Sequence, residues 1–107
     1  MSEFDKRKQG FEKAFALSEA LRFKALSRRN LAVGRWAADK LGLSGDAAGR
    51  YAEAFGKVQI EGEGDETLIA RLHDEFVKAG LDVSLHRIRR RFEAAMNDAI
   101  AAVEAGT

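Results

Sequence analysis

The chain has 107 residues, neither cysteine nor proline, and 18 basic against 17 acidic side chains, for a formal net charge of +1. That length suits one domain with one core, and the absence of cysteine excludes disulfides, thiolate-bound zinc and a cysteine nucleophile. No run approaches the roughly 18–20 apolar residues that cross a bilayer. No apolar h-region follows the charged Met1 to Lys8 start, so a soluble, unprocessed, cytoplasmic protein is expected, with no membrane insertion.

The near-neutral total hides an uneven distribution. Residues 1–40 carry ten Lys or Arg against five Asp or Glu, residues 41–82 four against nine, and residues 83–107 four against three. A basic N-terminal section suits an acidic or phosphate-bearing partner, whereas the acidic middle opposes general adhesion to nucleic acid.

In chain order, residues 1–17 come first and stand apart. Phe4, Phe11 and Phe15 lie among Arg7, Lys8 and Lys13, at spacings of seven and four, so the three rings share one face of a helix. Gly10 costs such a helix about 1 kcal/mol relative to alanine. The expectation is a mobile arm, partly disordered alone, that folds against a partner's groove. Extra turns of a bundle helix would produce the same stripe.

A long first helix is predicted from about Phe11 to Lys40 or Leu41, because Leu21, Ala25, Ala32, Val33, Trp36, Ala37 and Leu41 recur at helical spacing. Gly42 stops it as a left-handed glycine, with Leu43 folding back. Arg22 and Arg29 are seven apart, as are Arg28 and Arg35, so with Lys24 they form two adjacent basic rows. The plain reading is a solvated face; the functional one is electrostatic docking onto an acidic protein surface.

Ser44 is a candidate N-cap for a second helix, with Asp46 in its first turn and Ala48, Tyr51, Ala52, Phe55 and Val58 as its apolar stripe. The stretch Glu61-Gly62-Glu63-Gly64 breaks that helix, and Asp65 is predicted to cap a third, with Leu68, Ile69, Leu72, Phe76 and Val77 facing the core and Gly80 ending it. Asp82 or Ser84 caps a fourth, lined by Ile88, Phe92, Ala95, Met96, Ala99 and Val103. Four amphipathic helices with short connections make an all-α four-helix bundle, here spanning residues 18–107, because each stripe needs another helix to leave water.

Other chemistry is thinly represented. Gly42, Gly45 and Gly49 lack the Gly-Lys-Ser/Thr of a phosphate loop, so no cofactor is expected, although weak ATP or ADP binding to the basic helices stays open. Arg87, Arg89, Arg90 and Arg91 suit phosphate, but Glu93, Asp98 and Glu104 limit the patch, which disfavours nucleic acid. His73 and His86 have no spaced set of partners, and no Glu is followed three residues later by His, so neither catalysis nor a metal site is expected.

One ordered pattern remains: Phe11-Glu12-Lys13-Ala14-Phe15-Ala16, Leu21-Arg22-Phe23-Lys24-Ala25, Arg28-Arg29-Asn30, Gly34-Arg35-Trp36-Ala37-Ala38, Leu41-Gly42, Ser44-Gly45-Asp46-Ala47-Ala48 and Tyr51-Ala52. Gly64-Asp65-Glu66, Asp82-Val83-Ser84, His86 and Ile88-Arg89-Arg90 continue it. This pattern resembles the small zeta subunit of alphaproteobacterial F-type ATP synthases. That family tends toward acids or other polar residues where this chain has Ser18, Ala20, Leu26 and Leu31.

The resemblance implies a non-enzymatic inhibitor of ATP hydrolysis, peripheral to the inner-membrane ATP synthase, whose N-terminal helix inserts between subunits of the catalytic head. Carried over, Phe4, Phe11, Phe15 and Phe23 become apolar anchors and Arg7, Lys8, Lys13 and Arg22 charge contacts. Lys24, Arg28, Arg29 and Arg35 become an attachment face. The alternatives are an adenine-nucleotide-sensing regulatory module and a helical scaffold associated with nucleic acid.

Overall fold

A computed structural model describes residues 17–60 and 64–106, residues 58–60 by their backbone alone. Within them are four helices and no strand: α1 (Glu19–Lys40), α2 (Gly45–Ile60), α3 (Asp65–Lys78) and α4 (Leu85–Glu104). The all-α, four-helix architecture is therefore as expected. The stretch proposed as a mobile arm lies, up to Ala16, outside the described residues.

Helix α1 begins at Glu19 and not near Phe11. Ser18 takes an extended ψ of 160°, and its Oγ accepts the Leu21 N–H at 3.3 Å, satisfying one of the donors that a helix start leaves over. The apolar periodicity could not reveal this stop, because it arises from one hydroxyl. At the other end Gly42 has φ 78°, the Leu43 N–H reaches the Ala38 carbonyl at 2.9 Å and the Gly42 N–H that of Asp39 at 3.1 Å. This is the predicted glycine stop, closed by both bonds of a Schellman motif.

Helix α3 ends in the same way, with Gly80 at φ 76° and the Leu81 N–H on the Phe76 carbonyl at 2.8 Å. Ser84, one of the two predicted candidates, caps α4 by accepting the Arg87 N–H at 3.1 Å. The N-cap of α3 corrects an expectation. Gly64 holds that position without a side-chain hydrogen bond, and Asp65 is the first helical residue, its carboxylate turned to another partner.

Helix α1 packs broadly against α2 and α4, while α3 lies beside α4 and touches α2 less. Ala25 meets Ala99, Ile100 and Val103 near one end of α4, and Arg91, near the other end, lies over Trp36, so α1 and α4 run antiparallel. The main core joins Val33 and Ala37 of α1, Phe55 of α2, Leu68, Ile69, Leu72 and Phe76 of α3, and Ile88, Phe92 and Ala95 of α4. Leu17 packs on the smaller cluster, which ties the entry to α1 onto α4.

The stripes differ from the predicted ones at their margins. Leu21 and Val77 are 41% and 58% exposed, and Ala32 also faces solvent, whereas Ile100 is buried. With Leu41 and Trp36 only partly buried, the sealed face of α1 is built instead from Ala25, Val33, Gly34, Ala37 and Ala38. Small residues there let α2 come close.

Gly34 marks the closest approach. A Cβ at this position would lie 2.8 Å from the Ala52 Cα and 3.1 Å from its carbonyl oxygen, contacts with backbone that no rotamer change relieves. Gly34→Ala is expected to destabilise the fold by about 1–3 kcal/mol, the strain outweighing the ~1 kcal/mol that alanine gains in helix propensity. Urea unfolding followed by circular dichroism measures it. An unchanged midpoint would show that the α1–α2 crossing shifts freely.

Helices α2 and α3 are joined by the Tyr51 hydroxyl, which donates to a Glu75 carboxylate oxygen. Burial first, then that hydrogen bond and the carboxylate's charge, push the Tyr51 phenol above its ordinary value. The folded state thus holds the proton more tightly than the unfolded chain. The resulting stability is complete below about pH 10, the phenol's unfolded value, and is lost as pH rises toward the folded one. Tyr51→Phe is expected to flatten that alkaline loss in denaturant midpoints measured across pH, and a decline as steep as in the parent would refute the linkage.

Candidate functional site

The predicted site residues fall into three groups. Phe4, Arg7, Lys8, Phe11, Lys13 and Phe15 lie outside the described residues. Phe23 and the basic side chains of α1 are described. They divide sharply by the face of the helix they occupy.

Lys24, Arg28 and Arg35 are exposed, at spacings of four and seven, and form one continuous cationic row along the outer side of α1. Phe23 stands beside the start of this row, 57% exposed, the most open phenylalanine among the described residues. The exposure is unusual for an aromatic side chain, whose burial is worth about 1.5–3 kcal/mol. Leu21 is also exposed, so the first turns of α1 present apolar surface next to Lys24 and Arg28.

The second basic row does not exist as a solvent face. Arg22 is partly buried, and Arg29, expected on the attachment face, has a side chain only 5% exposed. Its Nη1 and Nη2 donate to the two Asp65 carboxylate oxygens at 2.9 and 2.8 Å. Its Nε and Nη2 also donate to the Asn30 Oδ1, at 3.1 and 2.9 Å, and its guanidinium carbon lies 5.2 Å from the centre of the Phe92 ring.

This arrangement has a physical cause. Positions 22, 29 and 36 recur every seven residues, and the row they define turns toward the core, where Trp36 meets Phe76 edge-on at 5.6 Å. A buried guanidinium is tolerable only when paired and fully hydrogen-bonded, and Asp65 with Asn30 supplies that. Arg29 is therefore a structural clamp from α1 to the start of α3, passing over an aromatic ring of α4. Asn30 is buried with it and escaped the sequence reading, although a polar pair within the matched run was a usable signal.

Among the positions singled out in the sequence, Ser18 is the cap of α1 and Ala20 is exposed. Leu26 and Leu31 are each partly buried on the flank of α1. Among the described residues no group of three or more His, Cys, Asp or Glu is placed to hold a metal ion, and no helix is long and apolar enough to cross a membrane. His73 sits half-buried on α3 and His86 exposed on α4.

These features define a small all-α protein that presents a cationic row and an exposed aromatic ring on the N-terminal part of its longest described helix. The chain belongs to the ATPase inhibitor subunit zeta family, which it matches over residues 1–102. The match includes the aromatic stretch that precedes α1 and bears out the resemblance read from the sequence. No curated protein matches the chain.

Proposed function

We infer that this protein suppresses ATP hydrolysis by an F-type ATP synthase, its N-terminal segment inserting as a helix between subunits of the catalytic head. The helical domain acts as the holder. It is a ligand of the ATPase and catalyses nothing itself, working at the cytoplasmic, peripheral part of the inner-membrane complex. The observation that carries this reading is Phe23. It lies five residues beyond the Ser18 cap, 57% exposed, so the series Phe4, Phe11, Phe15 and Phe23 ends in a ring open to a partner.

In the inserted state the four rings supply the apolar contact, and Arg7, Lys8, Lys13 and Arg22 the charge contacts. Lys24, Arg28 and Arg35 speed encounter with an acidic surface, which makes inhibition weaken as salt rises. Arg29 has no part in this attachment, being committed to Asp65.

The deciding experiment compares the full chain with one that starts at Ser18 as inhibitors of the purified ATPase. Inhibition by the full chain alone is expected, and equal inhibition by the two would sink the wedge. Phe15→Ala should weaken inhibition about 30-fold, the equivalent of about 2 kcal/mol for one apolar anchor, with the helical circular dichroism signal unchanged.

A further inference from the structure

The cations of α4 form a surface of their own, away from the exposed row of α1. His86, Arg87, Arg90, Arg91 and Ala94 of α4, with Trp36 of α1, line an open groove of about 390 Å³. Among the described residues no acidic side chain lines it. Arg91 stacks over the indole, its guanidinium carbon 5.3 Å from the ring centre, which holds that cation at the groove wall.

Arg89, on another side of the helix, donates to Glu66 at 3.0 and 3.3 Å and does not line the groove. The first turn of α4 contains no acid to complement the helix dipole. Arg87 therefore stands at the positive end of the helix, where a cation is unfavourable until an anion approaches.

We propose that the groove between Trp36 and the Arg87–Arg91 stretch of α4 is a second docking surface, which takes an acidic protein segment of the ATPase head. The shape favours a segment over a small anion. Arg90, Arg91 and Ala94 stand three, four and seven residues beyond Arg87, so the groove wall runs about 10 Å along one side of the helix. A groove of that length, edged by an indole and carrying three arginines, has room for successive carboxylates of a chain, more than one phosphate fills. The choice of the head as partner rests on the function proposed above.

Trp36 is the chain's one tryptophan, so its emission reports on this groove. The full chain is titrated with a short oligoglutamate peptide, and with ATP and inorganic phosphate in parallel. A saturable change in emission is expected with the peptide, about tenfold weaker in Arg87→Glu and restored in Arg87→Lys. Arg87→Glu does not endanger the fold, because Ser84 caps α4 through the Arg87 N–H and a glutamate at that position completes a capping box.

Absence of a peptide response, equal peptide affinity in Arg87→Glu, or a saturable response to ATP or phosphate without one to the peptide would each overturn the proposal. So would self-association of the chain that Arg87→Glu disperses. The same variant should inhibit the ATPase about tenfold less potently. Undiminished inhibition by Arg87→Glu would remove the head as the groove's partner and leave the wedge standing, whereas a wild-type chain that fails to inhibit would remove the wedge and leave the peptide titration to judge the groove.

Discussion

Phe76→Ala is expected to cost about 3–5 kcal/mol of folding stability. Phe76 is fully buried and the largest of the sealed side chains. Its ring meets Trp36 edge-on, and the Leu68, Leu72 and Ile88 side chains belong to the same core. Truncation leaves a cavity at the meeting point of α1, α3 and α4. The surroundings cannot collapse into it easily, because the Phe76 carbonyl also accepts the Leu81 N–H that closes α3.

For a domain of this size the loss corresponds to a fall in melting temperature of about 12 °C or more. Thermal unfolding followed by circular dichroism measures it, and a fall of only a few degrees would contradict the packing described. Trp36 emission should shift as well, since the indole loses its aromatic neighbour.

Asp65→Ala should cost about 3 kcal/mol, the lower end for breaking a buried ion pair. The lower end applies because the Asp65 side chain is 48% exposed, so water screens part of the attraction, and because Asn30 keeps its two bonds to Arg29. What the substitution leaves behind is a guanidinium buried beside Phe92 that has lost the Asp65 carboxylate. Arg29→Met should cost less, because a methionine packs on the ring and the half-exposed Asp65 carboxylate is hydrated at the positive start of α3.

Denaturant unfolding of both single variants and of the double variant gives the coupling between them. If Asp65 acted only as a helix cap, its loss would cost about 1 kcal/mol and would not depend on residue 29. Additive losses would therefore dismiss the clamp.

The contrast between Ser84 and Asp65 shows what could be read from the sequence. Gly42, Gly80 and Ser84 act through bonds to residues within five positions of themselves, and all three were legible. Asp65 has the composition of a cap, but its partner is Arg29, 36 residues earlier, and no local pattern carries that pairing. Arg29 shows the same limit from the other side, since the seven-residue spacing that placed it in a basic row also placed it in line with Trp36, facing inward.

The apolar stripes were readable at their centres and not at their edges. Leu72, Phe76, Ile88 and Phe92 are buried as predicted, while Leu21 and Val77 fall at the stripe margins, where neighbouring helices do not reach. For the candidate site, helical period placed Arg28 and Arg35 in one row, to which the exposure of Lys24 adds a third member. The exposure of Phe23 and the groove beside Trp36 depend on where α4 lies, which no spacing within α1 conveys.

The position of Ser18 has a mechanical consequence. A pull on the chain preceding it enters the molecule at the start of α1, the helix with the broadest contacts to both α2 and α4, and Leu17 is already seated against α4. Force along the axis of α1 loads those two interfaces in shear, so their contacts share the strain and do not peel one after another. Helix α3 lies off this line, tied to α1 chiefly by the Arg29–Asp65 strut and the Trp36–Phe76 edge contact. A tether attached at an end of α3 would load the smaller contacts first; attached at Ser18, it draws on the two largest interfaces at once.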